Sequence, residues 1–100
     1  MIKNYTPHTV TINGKDYPSE GVARCTSETK VVDSIEGIDI TETTFGEVFG
    51  LPETEEGTFY IVSRIVAEAV KGKREDCFVV SETIRDEEGR IVGCKSLGRI

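Results

Sequence analysis

Most of the chemistry this chain can offer lies in its twelve lysines and arginines. Arg85, Arg90, Lys95 and Arg99 crowd a terminal hairpin and tail. A guanidinium matches phosphate oxygens with a planar fork, and a lysine adds a mobile point charge. Lys95 and Arg99 stand four apart, so they share a face if the tail turns helically. Arg64 follows Ser63, a helix-capping hydroxyl, and so sits at a helix start. By the helix dipole that is the unfavourable end for a cation, which calls for a carboxylate or an anion as partner. Free helix N–H groups there would favour the same ligand. The competing reading is that these cations offset acidic loops as surface pairs, each worth little.

The other reactive groups are sparse. His8 is the only histidine, next to Thr6-Pro7, with no serine or cysteine nucleophile placed near it in sequence. Cys25, Cys77 and Cys94 are odd in number and widely spaced, so they form no disulfide framework. No CxxC pair exists for a zinc site, and the thiols read as buried and reduced. Glu53, Glu55 and Glu56 lack the alternating ligands and glycine of a calcium loop. No GxxxxGK[ST], GxGxxG or GxSxG pattern appears. The expectation is a binding protein rather than an enzyme, with no cofactor and no metal.

Composition narrows the partners. Among 100 residues, 18 acids outweigh 12 bases, for a formal charge of −6. An acidic chain repels long phosphate backbones unless its cations are gathered in one place. Seven of the twelve cations lie from Lys71 onward, against six acids. A small phosphate ligand feels such a local cluster within a Debye length of roughly 8 Å. The apolar runs are far shorter than the roughly 20 residues that span a bilayer, and no apolar leader opens the chain. These features predict a single domain over residues 1–100, cytoplasmic, with neither a membrane nor a long nucleic acid as partner.

The elements that must position these residues are mostly strands. Residues 9–12 alternate β-branched side chains, and Asn13-Gly14 then predicts a tight hairpin with 15–17. Short strands are expected over 22–26, 29–34 and 38–41. Phe45 to Pro52 is irregular, and Gly46 and Gly50 mark bends or close approach. Residues 58–62 form a β-prone run suited to a sheet centre. Ser63 caps a short helix to about Lys71, with Ile65, Val66, Ala69 and Val70 as its apolar face and Gly72 as its stop. Strands at 77–80, 83–85 and 90–94 follow, the last two joined by an Asp86-Glu87-Glu88-Gly89 turn. The predicted fold is α+β and mainly β: about seven short strands in antiparallel hairpins, with one short helix (63–71) packed on the sheet.

Several segments together resemble a family of small phage and prophage proteins, which is in turn similar to the Thoeris anti-defence proteins. They are Asn4-Tyr5-Thr6-Pro7-His8, Pro18-Ser19 with Gly21-Val22-Ala23-Arg24, and Phe45-Gly46-Glu47-Val48 with Leu51-Pro52. Tyr60-Ile61-Val62-Ser63, Arg74-Glu75-Asp76 and the stretch from Arg85 to Cys94 follow in order. The resemblance implies a small homo-oligomer that sequesters a cyclic ADP-ribose signal, or a related cyclic nucleotide, without cleaving it. It implies ligand sites where protomers meet, with basic residues near the C-terminus clamping phosphates. Arg99 and Lys95 match that clamp, and an aromatic ring, Phe78 or Phe45, would stack on the base. Arg90, Arg85 and Arg64 are the further candidate phosphate contacts. The alternative function is a small acidic protein-interaction module that docks on a host or virion protein.

Overall fold

The Asn13-Gly14 turn forms as its residue types dictate. Both residues have positive φ (50° and 82°), as a type I′ turn requires, and they join β2 (Val10–Ile12) to β3 (Lys15–Tyr17). The computed structural model describes residues 1–100. Its other strands are β1 (Ile2–Asn4), β4 (Arg24–Ile35), β5 (Ile38–Phe49), β6 (Phe59–Ile61), β7 (Cys77–Arg85) and β8 (Ile91–Gly98). One helix, α1 (Arg64–Val70), links β6 to β7. The chain is therefore mainly β with one short helix, as the sequence predicts. No helix is long and apolar enough to cross a membrane.

The strands divide into two sheets. Six form a sheet in the order β1-β6-β7-β8-β2-β3, and β4 and β5 form a separate two-stranded ribbon. The hairpins β2–β3, β4–β5 and β7–β8 are antiparallel. The pairs β1–β6, β6–β7 and β2–β8 are parallel, which the all-hairpin expectation does not contain. Parallel neighbours need a crossover connection, and α1 supplies one between β6 and β7. The strand expected over 22–26 and that over 29–34 merge into twelve-residue β4, and Phe45 to Phe49 extends β5. Register irregularities between Cys25 and Ser27 and between Val31 and Asp33 let the ribbon bend while it keeps pairing.

The glycines of the irregular segment mark close backbone approach. A Cβ on Gly46 would lie 2.5 Å from the Thr26 hydroxyl oxygen, and that hydroxyl accepts the Glu47 N–H. Gly50 has φ of +77°, and a Cβ there would meet the Val22 carbonyl oxygen at 2.5 Å.

The helix starts where Ser63 accepts the Val66 N–H at 3.4 Å. It buries Val66, Ala67 and Val70. Ile65 is half exposed instead, so the buried stripe is rotated from the predicted 65/66/69/70 face. A seven-residue helix has too few turns for periodicity to set its rotation, and contact with the sheet decides it. Those three residues close on Tyr60, Val62 and Cys77 of one sheet face and on Ala23, with Cys25 and Val48 of the ribbon base packed alongside. Across the sheet, Asn4 is wholly buried: its amide donates to the His8 and Tyr17 carbonyls, and its Oδ1 accepts from the Thr6 N–H and hydroxyl. That network fastens β1 and the following loop to β3.

Beyond its base the ribbon touches little else. Every residue from 26 to 44 is exposed. The radius of gyration is 16.1 Å, against about 13 Å for a compact 100-residue domain. The projecting ribbon accounts for the excess.

Candidate phosphate-binding cleft

Strand register places the first pair of predicted site residues together. Val79 lies opposite Gly98 in the β7–β8 ladder, and the next antiparallel pair brings Arg99 opposite Phe78. The Arg99 guanidinium stands 4.9 Å above the Phe78 ring centroid. Its Nη1 donates to the Glu75 carbonyl at 3.1 Å, which ties the tail to the connector after α1. Tyr60 and Cys77 are paired and face the helix, so Phe78 faces the other way, beside Phe59 at 5.8 Å. Between the two aromatic possibilities the geometry joins Phe78 to Arg99. Phe45 lies opposite Ser27 on the ribbon, half-buried, away from this stack.

Arg99 also lines a cleft of about 450 Å³ between the C-terminal end of α1, the connector and the tail. Lys71, Lys73 and Arg74 line it too. Lys71 caps the helix, where the dipole favours a cation. Lys71, Lys73 and Arg99 make no ion pair. Glu75 is the single acid in the lining. Lys71 and Lys73 were legible only as helix cap and charged connector, because nothing in the sequence tells that the tail folds back beside them.

Arg74 has a different task. Its Nε and Nη2 grip the Asp76 carboxylate at 3.0 and 2.7 Å, and Nη1 donates to the Pro52 carbonyl at 2.7 Å. It also lies 5.6 Å over the Tyr60 ring. The hydrogen bond from Arg74 is the main cause that holds the Asp76 carboxyl below its ordinary range, against the opposing effect of burial. The same bond raises the Arg74 guanidinium. Arg74 is thus fully engaged in holding the connector to the acidic loop.

The remaining candidates lie elsewhere. Lys95 shares the Arg99 face by strand alternation, not by a helical turn, and the two Cα atoms are about 13 Å apart at strand rise. Arg85 and Arg90 occupy the far end of the β7–β8 hairpin, about 30 Å along the strand from Arg99. There Arg85 donates to the Gly89 carbonyl at 2.7 Å, and Arg90 pairs with Asp86 at 3.2 Å and Glu88 at 2.6 Å. Arg64 is 3.7 Å from Glu68, at the opposite end of α1 from Lys71. It borders a second cleft of about 410 Å³, lined by His8 and by valines and an isoleucine of β2, β7 and β8. The linear cluster of cations is therefore dispersed within one chain.

The cysteines are free. Burial pushes the Cys77 thiol up to about 11, so it stays protonated at neutral pH. Cys94 is 2% exposed, whereas Cys25 is partly open. Native protein treated with iodoacetamide at pH 8 should take up one label quickly, at Cys25. Quick labelling of Cys77, read by peptide mass, would contradict this packing.

Comparison with protein-family models, with curated proteins and with solved structures finds no match for this chain. The chemistry of the cleft is read from its own residues.

Proposed function

We propose that the chain binds and sequesters a small phosphate-bearing nucleotide, of the cyclic ADP-ribose type or a related cyclic nucleotide, without cleaving it. The observation that carries this reading is the Arg99–Phe78 stack at the edge of a cleft holding two further unpaired cations, Lys71 and Lys73. Arg99 offers a bidentate fork to a phosphate. Phe78 lies outside the cleft lining and carries Arg99 on its ring, and the exposed Phe59 beside it offers a ring face to a base, a contact worth about 1–3 kcal/mol in single-stranded nucleic-acid sites. A sequestering protein needs affinity and slow release, not complementarity to a transition state. The resemblance to Thoeris anti-defence proteins points the same way: a phage protein acting in the host cytoplasm as a homo-oligomer. Calorimetry over a panel of cyclic ADP-ribose isomers and cyclic oligonucleotides tests it, with the ligand recovered intact after denaturation. A panel without heat, or recovery of a cleaved product, would overturn it.

One observation favours the second reading, a protein-interaction module: residues 26–44 of the ribbon carry five exposed large apolar side chains. A pull-down that recovers one partner independently of nucleotide would support that reading instead.

A further inference from the structure

The ribbon and the second cleft are two unsatisfied surfaces of one chain. At the ribbon tip Ile35 pairs with Ile38, and Asp33 with Ile40, so the three isoleucines share a face with Asp33. Ser34 and Asp39 pair on the opposite face. Ile38 is 67% exposed and Ile35 57%. An isolated two-stranded ribbon is marginal in water, and a clustered apolar face on it marks a contact surface. In the second cleft Val10, Val79, Val80, Ile91 and Val92 stand beside threonines of β2 and β7, with Ile91 and Val92 more than half exposed.

We propose that the β4–β5 ribbon lies across a second copy of this chain, with the Ile35/Ile38/Ile40 face seated in the cleft formed by β2, β7 and β8 of that copy. Charge supports this occupant. Residues 26–44 carry five acids and one lysine. The cleft lining holds no carboxylate, and its one cation, Arg64, has only the exposed Glu68 at 3.7 Å as partner. Reach supports it as well: ten residues of strand from base to tip extend about 33 Å, and the whole molecule is 39 Å across its middle dimension. This inference uses the homo-oligomer part of the proposed function and does not depend on any nucleotide.

The test is sedimentation of the ligand-free protein, joined to crosslink mapping. Wild-type protein should sediment as an assembly of two or more chains. Ile38→Lys and Val92→Lys should each raise the dissociation constant at least tenfold. Both side chains are exposed in the single chain, so circular dichroism should be unchanged. A photo-crosslinking amino acid at position 38 should join to residues 79–80 or 91–94 of a second chain. A monomeric wild type would overturn the proposal, as would an assembly indifferent to Ile38→Lys. Crosslinks confined to the ribbon of the second copy would overturn the cleft as its seat, even if Val92→Lys fails to fold. Loss of nucleotide binding with the assembly intact would refute only the ligand reading.

Discussion

Replacing Asp76 with alanine should cost about 3–5 kcal/mol of folding stability, as removing one partner of a buried ion pair does. That is a large part of the roughly 5–15 kcal/mol that holds a domain together. Asp76 is 7% exposed, and both its oxygens accept from Arg74. Without it the Arg74 guanidinium would keep only the Pro52 carbonyl as a hydrogen-bond partner, in a pocket closed by Tyr60. The loss should show as a lower urea midpoint with an unchanged slope. Replacing both residues with apolar ones of similar volume should recover much of it, because no stranded charge remains. A single Asp76→Ala variant as stable as wild type would show that the pair is not closed in solution.

The same pair sets an acid dependence. Arg74 lowers the folded-state pKa of Asp76, so ionised Asp76 stabilises the fold above its unfolded value of about 3.9. That contribution is lost as pH falls through the lowered folded value. Between neutral pH and about pH 3, wild-type protein should therefore lose more stability than Asp76→Asn, whose side chain does not titrate. Parallel stability curves for the two proteins would contradict the assignment.

Arg99→Ala should weaken nucleotide binding by roughly tenfold to a hundredfold, the range of one charge-assisted hydrogen bond of about 1.5–3 kcal/mol. Lys71→Ala and Lys73→Ala should each weaken it less, since a flexible ammonium contributes a point charge without the fork. Arg24→Ala, on the ribbon base, should change it little. Arg85→Ala and Arg90→Ala should also change it little if the site lies within one chain, because the hairpin end is about 30 Å along the strand from Arg99. Titration calorimetry of these variants against the tightest ligand of the panel reads the order. Equal losses at Arg99 and Arg24 would remove the tail from the site.

Local chemistry made several elements legible. Asn13-Gly14 announced its own turn because few other pairs tolerate two positive φ angles. Ser63 announced the helix start because its hydroxyl can replace a missing helix acceptor. Gly89, with φ of 82°, did the same for the β7–β8 turn. Strand pairing was less legible. The alternation in residues 22–34 is equally compatible with two short strands and with one long bulged one, and β5 decides between them by running alongside.

The sequence by itself determined a mainly β chain with one capped helix, three thiols outside any disulfide framework, and cations concentrated after Lys71. Each of these depends on residue type and on spacing of a few positions, where covalent geometry and local hydrogen bonding dominate. Tertiary structure alone decided which cations meet. Neighbours in sequence, Arg85 and Arg90, end far from Arg99 because an extended strand separates residues by about 3.3 Å each. Lys71 and Lys73 come to share a cleft with Arg99 because the tail, paired along β7, returns to the end of the helix. Long-range pairing sets that meeting, and no window along the chain contains it.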